Sequence, residues 1–282
     1  MYCDSHCHPF DLLDHLNRDE LESCRKGTAC AASSWNREQF EYHQSLAKKA
    51  GSLGHAPLLL CFALHPQLPA FLLSRNETPP EKQECNTQIR NDLLALLEDL
   101  AREKQLDAVG ETGFDLYNDE YRRTEKIQEE LFAHHLEIAL NYDLPMVIHA
   151  RRAMHKIFSH AEKMRKLSAV IFHSWPGTVG EGEALLRRGV NAFFSFGAAI
   201  INNRKESQRS CALLPAERLL LETDAPYLPP RGKQFSSWVD LPVIAGALAE
   251  LRKEAASPVS SLEEIEVQCE ANFFRAFAKA RN

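Results

Sequence analysis

Asp4, His6 and His8 stand at alternate positions in the stretch "DSHCHPF" close to the first residue. Alternate side chains of an extended strand share a face, so this spacing sets three polar groups together, with Ser5 and Cys7 opposite. Burying three such groups is unfavourable unless something binds them, and a metal ion is one such thing. For any single histidine, a hydrogen-bonded packing role is the better reading. What decides is whether the rest of the chain supplies more ligands.

It supplies four. Glu111 lies in "DAVGETGFD", His149 in "LPMVIHAR", His173 in "AVIFHSWPG" and Asp224 in "RLLLETDAPYLPP". Each follows a short apolar run of the kind that forms a buried strand. The expected strands are Tyr2–His6, Thr28–Ala32, Leu58–Ala63, Ala108–Glu111, Pro145–His149, Ala169–His173, Asn191–Ser195 and Arg218–Asp224. Between them run longer segments with apolar residues at three- and four-residue spacing. Ile127, Leu131, His134, Ile138 and Tyr142 line one face of the clearest of these. Capping boxes mark helix starts at Thr178–Glu181 and Ser261–Glu264.

Eight strand–helix units in this length have the rhythm of a TIM (β/α)8 barrel, an α/β fold whose strands all open at one C-terminal mouth. A doubly wound open sheet is the alternative, but no glycine-rich phosphate fingerprint follows the first strand. On a barrel, His6, His8, Glu111, His149, His173 and Asp224 converge on that mouth. Four imidazoles and two carboxylates are the inventory of a two-metal hydrolase site, suited to Zn²⁺ or Mn²⁺, with Mg²⁺ open to a carboxylate-rich set. The polar stretch Ser74–Asn91, with its paired prolines, reads as a surface excursion too short to be a domain, so residues 1–282 are expected to form a single hydrolase domain.

With these residues in place the chain resembles the TatD family of metal-dependent deoxyribonucleases. The resemblance rests on Asp4-x-His6-x-His8, Gly110–Asp115, His149-Ala150-Arg151, His173 and Glu222–Leu228. Further matches are Leu64-His65-Pro66, Gln128 to His149, Arg231-Gly232-Lys233 and Ala271–Phe277, so it covers essentially the whole chain. It implies hydrolysis of phosphodiester bonds in DNA, with exonuclease action, by metal-activated water. Carried over by position, His6, His8, Glu111 and Asp224 would hold one metal. Glu111, His149 and His173 would hold the second, with Glu111 bridging. Asp224 would be the proton acceptor, and His65 and Arg231 would lie near the substrate phosphate. Asp4 is not a ligand in that scheme and would orient a strand-one histidine.

Two loops depart from the family pattern. Gln234-Phe235-Ser236-Ser237 follows Arg231-Gly232-Lys233 where Arg-Asn-Glu-Pro is common, and Ser174-Trp175-Pro176-Gly177 follows His173. Both loops flank the mouth, and Trp175 is the aromatic residue expected there. Trp35 and Trp238 could stack on bases but are better read as core or loop packing, and His134 and His135 as packing or surface residues. His15, His43, His55, His155 and His160 have no partners at ligand spacing.

Two other functions compete. One is an amidohydrolase-type enzyme acting on a non-nucleic-acid amide or ester; many of these bridge their metals with a carbamylated lysine where Glu111 stands here. The other is a non-catalytic metal-binding scaffold, against which the intact ligand set argues.

Composition bounds the rest. The 44% hydrophobic and 26% charged content is that of a globular domain. A net charge of −6 excludes a polycation that coats nucleic acid, although Arg151-Arg152, Arg187-Arg188 and Arg231-Gly232-Lys233 are candidate local basic patches. Eight cysteines without CxxC pairs read as reduced thiols used in packing. No apolar run is long enough for a membrane span and no leader pattern is visible, so a cytoplasmic protein is expected. DNA, single- or double-stranded, is the expected partner; no membrane or protein partner is implied.

Overall fold

The computed structural model describes residues 1–74 and 80–278. Eight strands pair in parallel in chain order: β1 (Tyr2–Cys7), β2 (Thr28–Ser34), β3 (Leu58–Phe62), β4 (Ala108–Asp115), β5 (Met146–Arg151), β6 (Val170–Phe172), β7 (Ala192–Phe196) and β8 (Leu219–Leu221). Helices fill the connections: α1 (Arg18–Arg25), α2 (Arg37–Leu53), α3 (Leu68–Ser74), α4 (Pro80–Arg102), α5 (Asp119–Arg122) and α6 (Glu125–Asn141) in the first half. The second half adds α7 (Met154–Ser159), α8 (Ala161–Met164), α9 (Val179–Arg187), α10 (Lys205–Leu213), α11 (Leu241–Glu254) and α12 (Leu262–Ala276). This is the expected TIM barrel.

Its seam closes just beyond β8. The Asp224 N–H donates to the His6 carbonyl at 3.0 Å, and the His8 N–H donates to the Ala225 carbonyl at 2.7 Å. Closure therefore draws His6, His8 and Asp224 to one place.

The barrel interior is packed with small residues on one side (Cys3, Ala29, Ala31, Cys61, Ala108) and larger ones on the other (Val147, Ile171, Phe193, Leu220). Phe273 and Phe277 at the end of α12 close its floor. A second apolar layer, including Cys30, Phe62, Val109, Phe172 and Phe194, joins the outer faces of the strands to the helices. Strands buried on both faces read as near-continuous apolar runs, which is why they stand out in the sequence.

Regular alternation fails in two strands. Along β1, Asp4 pairs with Cys30 and Cys7 with Ala32, so three steps on β1 match two on β2. The extra residue is a β-bulge, and it turns Ser5 and His6 inward in succession. Ser5 Oγ meets Ser195 Oγ at 2.6 Å, and the His6 ring meets Ser33 Oγ at 3.2 Å. Asp4 thus lies on the outward phase with Cys30 and Cys7, and does not share a face with His6 and His8 as simple alternation predicts. β4 repeats the device between Val109 and Thr112. Gly110 leaves room for it, because a Cβ there would stand 2.5 Å from the Val147 side chain.

Other expectations need correction. Glu111 and His149 sit inside strands longer than expected, because β4 continues to Asp115 and β5 to Arg151. β6 stops at Phe172 and β8 at Leu221, which leaves His173 and Asp224 in the turns that follow. α4 occupies most of the stretch read as an excursion; proline is tolerated in a first helical turn, and good helix formers follow it. Residues 75–79 and the Cys85 side chain lie outside the described residues. The buried face of α6 holds Gln128, Phe132, His135 and Leu136 beside Leu131 and Ile138, whereas His134 is exposed. Both expected capping boxes form. Among the described residues no helix is long and apolar enough to cross a membrane.

Candidate active site

All six residues expected at the mouth meet around Glu111. Its Oε2 lies 3.2 Å from His6 Nε2 and 3.6 Å from His8 Nε2. Asp224 Oδ1 completes that side, 3.6 Å from His6 Nε2 and 3.5 Å from His8 Nε2. The other oxygen, Oε1, lies 2.8 Å from His149 Nδ1 and 3.4 Å from His173 Nε2. His65 Nε2 also approaches Oε1, at 3.2 Å, so His65 belongs to the cluster itself and not only to its surroundings.

Further groups fix three of the rings. Ser33 takes the far nitrogen of His6. Glu222 Oε1 lies 3.4 Å from His173 Nδ1 and accepts the Ser174 N–H at 2.8 Å. Asp115 Oδ2 lies 3.3 Å from His149 Nε2 and accepts from Gln67 Nε2 at 2.7 Å, while its Oδ1 accepts the Tyr117 N–H. Such partners set which nitrogen faces the centre. Asp115 and Glu222 are not singled out by the sequence reading, yet both lie at even spacing from a site carboxylate: Asp115 from Glu111, Glu222 from Asp224. Asp4 orients by way of the backbone, accepting from the His6 N–H at 3.2 Å, the Thr223 N–H at 2.9 Å and the Thr223 hydroxyl at 2.6 Å.

Two buried histidines on helices brace the loops from behind. His43 on α2 accepts the Phe10 N–H at Nε2, 3.0 Å, and donates from Nδ1 to Ser34 Oγ, 2.8 Å. His135 on α6 accepts the Leu64 N–H at 3.4 Å and donates to Thr112 Oγ1 at 2.5 Å. One loop carries His8 and the other His65. Burial drives both imidazoles down to about 3, so they stay neutral and keep their acceptor nitrogens.

Two backbone features hold the geometry. Asp224 has φ 54°, a left-handed conformation that costs a non-glycine residue energy and is held by its bonds across the seam. Gly113 has φ +135°, and a Cβ there would stand 2.0 Å from the His149 carbonyl oxygen, so only glycine lets β4 and β5 approach.

The charge pattern suits cations. Burial pushes the Glu111 carboxyl up, but His65, His6, His173 and the His149 bond outweigh it and hold it well below the usual carboxylate range. Asp224 is held low in the same way, burial being outweighed by His173 and the His8 bond. Burial, then His173, lowers His6. His173 is pushed up to about 10, because Glu222, Asp224 and Glu111 outweigh its burial. Glu111 and Asp224 are thus kept as anions, and positive charge is favoured on His8, His149 and His173. A divalent cation supplies that charge and takes the same nitrogens as ligands. Three sets offer ligand atoms within 4.8 Å of one another: His6, His8 and Glu111; His6, His173 and Asp224; His65, Glu111 and His149. The donors fit a metal.

The mouth differs from expectation at its aromatic residues. Trp175 is buried, packed on Phe172 and Phe194 on the outside of the barrel. Trp35 instead lines a small recess with His8, Ser33, Ser34, His65 and Glu111. Arg231 stands further out, on a cavity of about 310 Å³ shared with Ala199, Asn202, Asn203, Arg204 and Leu228.

A (β/α)8 barrel that gathers imidazoles and carboxylates in this way defines a metal-dependent hydrolase. The family model described as TatD related DNase matches residues 3–278. The chain is 30% identical over 179 residues to the 3'-5' ssDNA/RNA exonuclease TatD of Escherichia fergusonii, covering 60% of this chain and 67% of that protein. It is 28% identical over 268 residues to the uncharacterized metal-dependent hydrolase YjjV of Escherichia coli, covering 92% and 93%. The crystal structure of YjjV, a TatD homolog, superposes with a TM-score of 0.78 at 25% identity, covering 98% of this chain and 97% of that one. The chain belongs to the TatD family of metal-dependent hydrolases.

Proposed function

We propose that this protein removes nucleotides from the end of a DNA strand by hydrolysing its phosphodiester bonds. The observation that carries the reading is the division of Glu111, whose two oxygens each face a separate set of imidazoles. His6, His8, Glu111 and Asp224 would hold one Mg²⁺, Mn²⁺ or Zn²⁺ ion, and Glu111, His149 and His173 a second. When bound, such cations make hydroxide available at neutral pH and offset charge on the attacked phosphate.

The chain's own residues do the rest. Asp224, kept ionised by its imidazole neighbours, takes the proton of the attacking water at Oδ1. Glu222 and Asp115 hold His173 and His149 in place. His65, partly open to solvent, and Arg231, exposed, bind phosphate oxygens. The name of the Escherichia fergusonii relative, a single-strand DNA and RNA exonuclease, supports an unpaired strand as substrate. The described cysteines are all free, in keeping with a reducing cytoplasm and with residues 1–282 acting as one hydrolase domain there.

The test is cleavage of end-labelled single-stranded DNA, duplex DNA and RNA by protein loaded with each metal in turn. A ladder shortening from one end is expected on single-stranded DNA. No cleavage of any polymer by protein with verified metal content would overturn the proposal.

A further inference from the structure

The cavity beside the cluster carries more chemistry than the reaction at Glu111 uses. One wall is the segment after β7, with Asn203 and Arg204; the other is the segment after β8, with Leu228 and Arg231; Ala199 lies between. Asn202 clamps the two walls together, its Oδ1 accepting the Arg231 N–H at 3.0 Å and its Nδ2 donating to the Pro229 carbonyl at 3.0 Å. The cavity is therefore a built feature of two loops.

Its charge is of one sign. Two guanidinium groups line it and no carboxylate does. Among the described residues neither Arg204 nor Arg231 has a carboxylate partner within ion-pair distance, unlike Lys233 beside them, which is paired with Asp240. The nine-residue helix α10 starts at this wall with Arg204 as its N-cap residue, and no side chain caps it. An uncapped helix start adds partial positive charge and backbone donors. Leu228, exposed at φ 46°, gives the same cavity an apolar surface.

The cavity also adjoins the candidate active site. Leu228 follows Tyr227, whose ring lies 5.3 Å from that of His8 and whose hydroxyl donates to Asp11 at 3.0 Å. A strand with one phosphate at Glu111 thus has a second, cationic recess next to it along the β8 side. Two forked donors and a helix start match the tetrahedral oxygens of a phosphate better than any neutral group.

We propose that the Arg204–Arg231 cavity is a subsite for a second phosphate of the substrate, the one neighbouring the bond that is cleaved, and that Arg204 gives it its specificity. This rests on the nuclease reading for the identity of the substrate. The subsite makes the enzyme read at least two successive phosphates, and so separates a nucleic acid strand from a small phosphodiester.

The test compares thymidine 3′,5′-bisphosphate with thymidine 5′-monophosphate by calorimetry on the metal-loaded protein. Wild type should bind the bisphosphate about tenfold or more tightly, the value of one added charge-assisted contact. Arg204→Ala should bring the two ligands to within about threefold of each other, and Arg204→Lys should keep part of the difference. The Arg204 side chain donates no hydrogen bond within the described residues, so the fold should survive, and circular dichroism checks it. Should the alanine variant fail to fold, the lysine variant decides alone. Equal binding of the two ligands by wild type, or a bisphosphate advantage unchanged in the variants, overturns the subsite. An advantage lost in Arg204→Ala, in a protein that cleaves no polymer, removes the nuclease reading and leaves the subsite standing.

Discussion

Asp4 offers the sharpest test of how the barrel seam holds the site. The residue is fully buried and accepts three hydrogen bonds, from the His6 N–H, the Thr223 N–H and the Thr223 hydroxyl. Asp4→Ala leaves all three donors without that acceptor in a region closed to water. At roughly 1–3 kcal/mol for each unsatisfied donor, and with the hydroxyl free to turn elsewhere, the two N–H groups set the loss at about 2–6 kcal/mol. Asp4→Asn keeps the oxygen that serves both N–H groups and exchanges only the atom facing the hydroxyl. Burial, opposed by the Thr223 bonds, pushes the Asp4 carboxyl up to about 7, so near neutral pH an amide replaces a group that is already partly uncharged. The asparagine variant should therefore lie within about 1 kcal/mol of wild type. Urea unfolding followed by circular dichroism measures both. The thermal upshift on adding Mn²⁺ should also shrink in the alanine variant, because Asp224 follows Thr223 directly. If alanine and asparagine cost the same, the acceptor geometry is not what holds the seam, and the reasoning fails.

Three further outcomes are expected. Asp224→Asn should lower DNA hydrolysis by at least about 100-fold with the fold intact, since an amide cannot accept the water's proton; near wild-type turnover, with metal content measured, would remove Asp224 from that role. Gly113→Ala should cost roughly 2–6 kcal/mol, summing backbone strain and overpacking against the His149 carbonyl, and a urea midpoint matching wild type would contradict it. His135 ties acid sensitivity to the loop that carries His65. Its folded pKa is depressed to about 3 from an unfolded 6.5, so its stabilisation is complete above 6.5 and is lost as pH falls toward 3, at about 1.4 kcal/mol per pH unit. Unfolding free energies between these limits should fall less steeply in His135→Gln, and parallel slopes for the two proteins would refute the assignment.

The barrel and the six central residues are legible in the sequence for one reason. Strands buried on both faces are apolar throughout, so imidazoles and carboxylates recurring at the ends of several such runs have no shared packing explanation. What escapes is whatever depends on register. Alternation puts Asp4 beside His6, but the bulge separates them, and no local signal marks its extra residue. The buried face of α6 keeps Leu131 and Ile138 of the expected stripe but is rotated toward Gln128, Phe132, His135 and Leu136. That shift exposes His134 and makes His135 a brace. Trp175 neighbours His173 in sequence, yet the chain turns its ring outward onto Phe172 and Phe194. Asp115 and Glu222 could have been found, since each repeats the even spacing of a site carboxylate.

The two bulges make the centre a matter of counting. Had β1 and β4 been regular, His6 would face the helices on the side of Asp4, and Glu111 would point out toward α6. The donors exist as a set only because each strand is one residue out of step with its neighbour. Losing His6 or Glu111 as the extra residue would restore regular pairing and leave every apolar layer nearly intact while removing a donor from the centre. Length variation at these points is thus a lever on chemistry that leaves the architecture alone, and a designer could silence or install such a centre on a barrel without touching its core.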